Sequence, residues 1–200
     1  RSAIGRMERF LNNEGIPAYG ENTGGYFETV EVQVFVNLLR IIDNTRQDIP
    51  LISVMRSPVF DFHVRELAAV RIEKRDGSFY DAVRAFAKAD HGGDEDAAAI
   101  ACWKELKNTV TLEELTRILL YDTGYFAYCS GLPAGKRRIS NLRLLVEKAG
   151  QFEQNSHSGL YGFISYIEAM KKNNISIGEA KVLGEGENVV RVMTVHKSKG

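Results

Sequence analysis

Apolar positions along the chain recur at two spacings. Ile4, Met7 and Leu11 stand at helical intervals, and Gly15-Ile-Pro17 stops that helix ahead of a short extended stretch, Ile16–Tyr19. Beyond a loop from Gly20 to Gly25, Val30, Val34, Leu38 and Ile41 mark one face of a helix that ends near Asp43. From Ile49 to Tyr128 the pattern is a series of short amphipathic helices: Phe79, Val83 and Phe86 share a face, as do Ala99, Trp103 and Leu106. Thr111-Leu-Glu-Glu114 predicts a capping box ahead of Leu115, Ile118 and Leu119. Two more helices follow, one through Leu142, Leu145, Ala149 and Phe152, the other through Leu160, Phe163, Ile164 and Ile167 behind Ser156-His-Ser158. The second spacing appears only at the end. Val189 to Val195 is almost continuously apolar and β-branched, which predicts a strand buried on both faces of a parallel sheet. Such a strand needs neighbours, and Ile16–Tyr19 is the one other short extended candidate, so the chain reads as a piece of something larger.

Composition narrows this picture modestly. Two hundred residues at 44% hydrophobic content suffice for one sizeable core or two small ones. The 26 basic residues balance 26 acidic ones, so no global field steers the chain to nucleic acid or to an anionic membrane, and any DNA-binding surface must be local. Cys102 and Cys129 give neither metal spacing nor a disulfide framework and read as free thiols in a reducing cytosol. No apolar run approaches a membrane span and no signal peptide opens the chain, so the expectation is a cytoplasmic protein without a membrane partner. Trp103 lies at core spacing. Asp90-His-Gly-Gly-Asp-Glu-Asp96 has loop composition, Glu113, Glu114 and Asp122 read as a solvated helix face, and no metal site is predicted.

Two stretches carry candidate chemistry. Thr194, His196, Lys197, Ser198 and Lys199 follow the last strand and run into Gly200; the crevice outside the carboxyl ends of strands is where open α/β sheets bind ligands, and this set suits a phosphate. A polar turn with two solvated lysines is the alternative. Lys136, Arg137, Arg138 and Arg143 fall together with no acid among them, in a glycine-punctuated loop from Gly131 that opens a helix. On composition this is equally a phosphate-backbone cradle or a basic loop that is solvated or tied up in intrachain salt bridges.

Resemblance adds a family. Val-Arg-Val-Met-Thr-Val-His-Lys-Ser-Lys-Gly resembles motif V of superfamily 1 DNA helicases of the UvrD/RecB type, with wording closer to the AddA and RecB helicase/nuclease subunits. Arg1-Ser2 is similar to the tail of motif IV, and Gly25-Tyr-Phe-Glu-Thr-Val-Glu-Val32 to motif IVa. Asp48-Ile-Pro-Leu and Met55-Arg-Ser-Pro58 resemble the continuation into the inserted domain called 2B. Gly135-Lys-Arg-Arg-Ile-Ser-Asn-Leu142 resembles a 2B loop and helix near duplex DNA.

The resemblance implies a mainly α chain: a helical insertion over residues 48–186, flanked at 1–47 and 187–200 by partial α/β pieces of the second RecA-like P-loop NTPase domain. It implies that Arg1 serves the ATP γ-phosphate, that Thr194, His196, Lys197 and Lys199 meet single-stranded DNA, and that Lys136, Arg137 and Arg138 meet the duplex junction. The parent enzyme would couple ATP and Mg²⁺ to translocation on DNA and to exonuclease action in double-strand break repair and recombination, with an AddB-like partner nuclease subunit. The phosphate-binding loop, the Mg²⁺-binding acidic motif and the nuclease carboxylates are not among these residues. The chain alone is therefore expected to hold no cofactor and to hydrolyse neither ATP nor DNA. The rival readings are a UvrD-type repair helicase without a nuclease, and a 2B domain that serves as a regulatory protein-interaction module through its basic loop.

Overall fold

The computed structural model describes residues 3–20, 26–89, 94–173 and 190–193. It is mainly helical, as the periodicity predicts: α1 (Ala3–Asn13), β1 (Ala18–Gly20), a 3₁₀ turn (Tyr26–Glu28), α2 (Val30–Asp43), α3 (Asp48–Met55), α4 (Val64–Glu73), α5 (Phe79–Lys88), α6 (Asp94–Leu106), α7 (Leu112–Asp122), α8 (Tyr125–Gly131), α9 (Gly135–Asn155), α10 (Gly159–Lys172) and β2 (Val190–Val192).

Helix α2 is the hub. Val32, Phe35, Val36, Leu38, Leu39, Ile41 and Ile42 are all buried, so the helix is apolar around most of its circumference and is enclosed by its neighbours. Val30, at the predicted core spacing, is instead 65% exposed, because the burying faces of α2 begin one residue later. Helices α3, α6, α9 and α10 pack on α2, and α7 and α8 lie along α9. One hydrophobic cluster runs from Tyr26 and α2 through Trp103, Leu115 and Leu119 to Leu142, Leu145, Phe163 and Ile167. This core crosses position 48 without interruption, since Leu39, Ile41 and Ile42 share one cluster with Leu51 and Val54. At that position the Phe79 amide donates to Asp48 Oδ1 at 2.7 Å, and Arg71 pairs with the same carboxylate at 3.5 Å.

Local signals explain the helix starts. The Thr111 hydroxyl accepts from the Glu114 amide while Glu114 Oε2 accepts from the Thr111 amide, the predicted capping box. Ser78 and Asp81 make the same reciprocal pair ahead of α5. Ion pairs close the far side: Arg40 with Glu168 at 3.0 Å and Lys171 with Glu28 at 3.1 Å fasten α10 to α2 and to the 3₁₀ turn.

The strands form a separate feature. β1 and β2 pair in parallel, with Ala18 opposite Val190 and Gly20 opposite Val192, and α1 packs beside them. Parallel pairing places the carboxyl ends of both strands at one edge. The strand predicted at Val189–Val195 to be buried on both faces is described over three residues, and Val190 is 45% exposed. Its burial would require further strands, and the described sheet has only two.

Candidate functional site

The basic stretch is where the structure most changes the sequence reading. Lys136, Arg137 and Arg138 are not in a loop: α9 begins at Gly135, and the three cations occupy its first turn. That turn contains no acid, and the residue before it, Ala134, adopts a left-handed conformation (φ 56°) with no side-chain cap. Cations at a helix N-terminus oppose the macrodipole, and a non-glycine residue in the left-handed region costs about 1–2 kcal/mol. Something must offset both.

Glu31 does. It lies in the first turn of α2, is only 2% exposed, and divides its carboxylate between two α9 residues. Oε2 accepts from Arg138 Nη1 at 2.9 Å and Oε1 accepts from Asn141 Nδ2 at 2.7 Å. Arg138 also donates through Nε to the Pro133 carbonyl at 3.0 Å, bracing the turn that holds Ala134. Two tyrosines complete the cluster: Tyr26 donates to the Asn141 carbonyl at 2.7 Å, and Tyr125 donates to the Glu31 carbonyl at 3.3 Å. Burial, and after it the nearby Glu31 charge, raises the Tyr26 hydroxyl far above the usual phenol range; burial does the same for Tyr125. Cys129, beside Tyr125, has its thiol pushed up to about 11 by burial.

Lys136, Arg137 and Arg138 are the predicted site residues that lie among the described residues. Arg138 is committed inward to Glu31, the intrachain ion pair that composition left open. Arg137 is 4% exposed and lies inside the fold. Lys136 is exposed on the outer face of α9, and Arg143 lies two helical turns further on that face, its guanidinium carbon 5.5 Å from the Phe126 ring centroid. Arg1, Thr194, His196, Lys197 and Lys199 lie outside the described residues, as does the Asp90–Gly93 part of the acidic loop. Strand β2 ends two residues before Thr194 in the sequence, and its carboxyl end sits beside that of β1. Among the described residues no group of three His, Cys, Asp or Glu could hold a metal ion, and no helix is long and apolar enough to cross a membrane.

Sequence reasoning missed Glu31. The signal was present: one acid inside Val30-Glu-Val-Gln-Val-Phe-Val36, in a helix with apolar residues on most faces, has to meet a partner, and 136–138 offered cations with no acid beside them in sequence.

No protein-family model matches the chain. Curated proteins do match it over nearly its whole length. It is 43% identical over 199 residues, 97% of the chain, to the AddA protein of the ATP-dependent helicase/nuclease of Alkaliphilus metalliredigens. It is 44% identical over 201 residues to that of Alkaliphilus oremlandii and 39% identical over 211 residues to that of Syntrophomonas wolfei. The motif resemblance to helicase/nuclease subunits thus extends over almost the whole chain. The chain spans only 16–17% of the length of these relatives.

Proposed function

We propose that this chain is a segment of an ATP-dependent DNA helicase/nuclease, formed by the helical 2B insertion and the pieces of the second RecA-like domain that flank it. The observation that carries the proposal is the β1–β2 pair. Two strands with the entire helical bundle between them in sequence lie side by side and parallel, the arrangement expected when a helical domain is inserted between neighbouring strands of an α/β sheet. Similarity to AddA proteins along the chain supports the same reading.

On this proposal Arg1 and the stretch Thr194, His196, Lys197 and Lys199 work at the strand ends, on ATP and single-stranded DNA respectively. The whole enzyme uses ATP and Mg²⁺, acts in the cytoplasm on DNA ends in break repair and recombination, and works with a partner nuclease subunit. The isolated chain is inactive as a hydrolase. Backbone contact to the duplex junction falls to Lys136 and Arg143 on the outer face of α9, with Arg137 and Arg138 supporting that helix from within.

A second reading, 2B as a protein-interaction module, is favoured by one observation: Arg138 of the basic trio meets a carboxylate of the chain itself. Fluorescence anisotropy with forked, duplex and single-stranded DNA at low and moderate salt separates the two. DNA contact predicts sequence-indifferent binding that weakens steeply with salt and falls in Lys136→Ala/Arg143→Ala and Lys197→Ala/Lys199→Ala variants. Absence of binding at low salt would remove the DNA reading and leave the interaction module.

A further inference from the structure

Three consecutive cations on a helix are equivalent by charge, and each points about 100° away from the next. Nothing in Lys136-Arg137-Arg138 itself dictates which of them faces water. Buried Ile139, Leu142, Leu145 and Ala149 set the broad inward face of α9. Within that face a charge-assisted bond with fixed partners fixes the rotation more sharply than apolar burial, which is non-directional. In the structure the choice is made by Glu31, the one acid among the buried polar residues described. Its two oxygens engage Arg138 and Asn141, which are three residues apart and so lie on the same face of α9. A one-residue rotation of the helix would present both oxygens with the wrong side chains.

The Asn141 amide points to the same conclusion. Its Nδ2 is spent on Glu31 while its own Oδ1 is buried with no hydrogen-bond partner among the described residues. Turning the amide over would set Oδ1 against the carboxylate, so the charge on Glu31 fixes that side chain as well. Tyr26 and Tyr125 reach in from the two elements that meet there, the 3₁₀ turn and α8.

We infer that Glu31 is a positioning residue that sets the rotation of α9 on α2 and thereby decides which cations of the basic turn face solvent. Its meaning for DNA rests on the function proposed above; the positioning itself does not. A buried ion pair that selects one register over near-equivalents is the best attested use of such pairs.

The deciding experiment is a cysteine-accessibility scan of α9 in a Cys102→Ser background, comparing alkylation of Lys136→Cys and Arg143→Cys with Ile139→Cys and Leu145→Cys. With Glu31 intact the first two react at least roughly tenfold faster than the second two. With Glu31→Leu/Arg138→Met, which replaces the pair by apolar volume, the contrast should shrink to less than about threefold while circular dichroism stays helical. An undiminished contrast would show that packing alone orients α9 and would overturn the inference. If that double change does not fold, amide exchange in Glu31→Gln decides instead. Protection over 135–142 should then fall by roughly tenfold or more with 36–42 unchanged, whereas an equal fall in both would overturn the inference. Failure of the intact chain to bind DNA would refute the DNA reading and leave the accessibility pattern to judge Glu31 by itself.

Discussion

Cys129 and Cys102 differ in environment enough to be told apart by chemistry. Cys129 is buried with its thiol pushed up to about 11, so at pH 8 it carries on the order of a hundredfold less thiolate than an ordinary cysteine, whereas Cys102 is exposed. A disulfide exchange reagent should therefore titrate one thiol quickly in the folded chain and the second only after unfolding in urea. The same shift sets an alkaline limit. Because the folded chain holds this proton more tightly than the unfolded chain, its contribution is full below about pH 9 and is lost between about pH 9 and 11, where the unfolded state binds fewer protons. Tyr26 and Tyr125, both raised, extend the decline to higher pH. Urea midpoints measured from pH 7 to 10.5 should fall through that window. The ion pairs differ in the same way. Glu31→Ala strands Arg138 and should cost about 3–5 kcal/mol, whereas Glu28→Ala, which removes a half-exposed partner of Lys171, should cost at most about 1 kcal/mol. Equal losses in urea unfolding would contradict that ranking.

Helix α9 shows most clearly how far a sequence could be followed. Leu142, Leu145 and Ala149 at helical spacing predict its body, and all three are fully buried. Its start is misjudged because Gly131, Pro133 and Gly135 read as loop punctuation, whereas Gly131 closes α8 and Gly135 opens α9. The three residues between them make a turn in which Ala134 takes a conformation that nothing in its identity announces. That Glu31 needs a partner was readable, but which partner was not: Arg138 and Asn141 lie more than a hundred positions away, and local periodicity carries no information at that separation. By contrast Thr111 and Glu114 are three residues apart, and their capping box was readable. The tight α8–α9 turn makes its own prediction. A Cβ added at Gly135 would overlap the Ser130 carbonyl, while one at Gly131 meets nothing within 4 Å. Gly135→Ala should cost about 2–3 kcal/mol, in the range of overpacking, with Gly131→Ala close to neutral. A thermal melt of each against the parent chain tests the pair.

At the scale of the molecule, the resemblance implied a helical insertion over residues 48–186 between flanking pieces, and α3 to α10 occupy residues 48–172 of that span. The hydrophobic pattern could not say where the folding unit starts, because an amphipathic helix looks the same whether its partner lies before or after it in sequence. We propose that the unit starts earlier. α2 supplies the centre of the cluster that α3, α6, α9 and α10 share, Glu31 and Arg40 tie it to α9 and α10, and Glu28 ties the preceding 3₁₀ turn to α10. α1, β1 and β2, by contrast, pack mainly on one another. A chain of residues 26–173 should therefore fold with the far-ultraviolet spectrum of a helical bundle and a single cooperative transition. A chain of residues 44–173 lacks the central helix, exposes the faces that α2 covered, and should be molten or aggregated. If the shorter chain instead melts cooperatively within a few degrees of the longer one, then α2 belongs to the strand-bearing piece alone. The Glu31 cluster would in that case be a contact between two independent domains, not part of a common core.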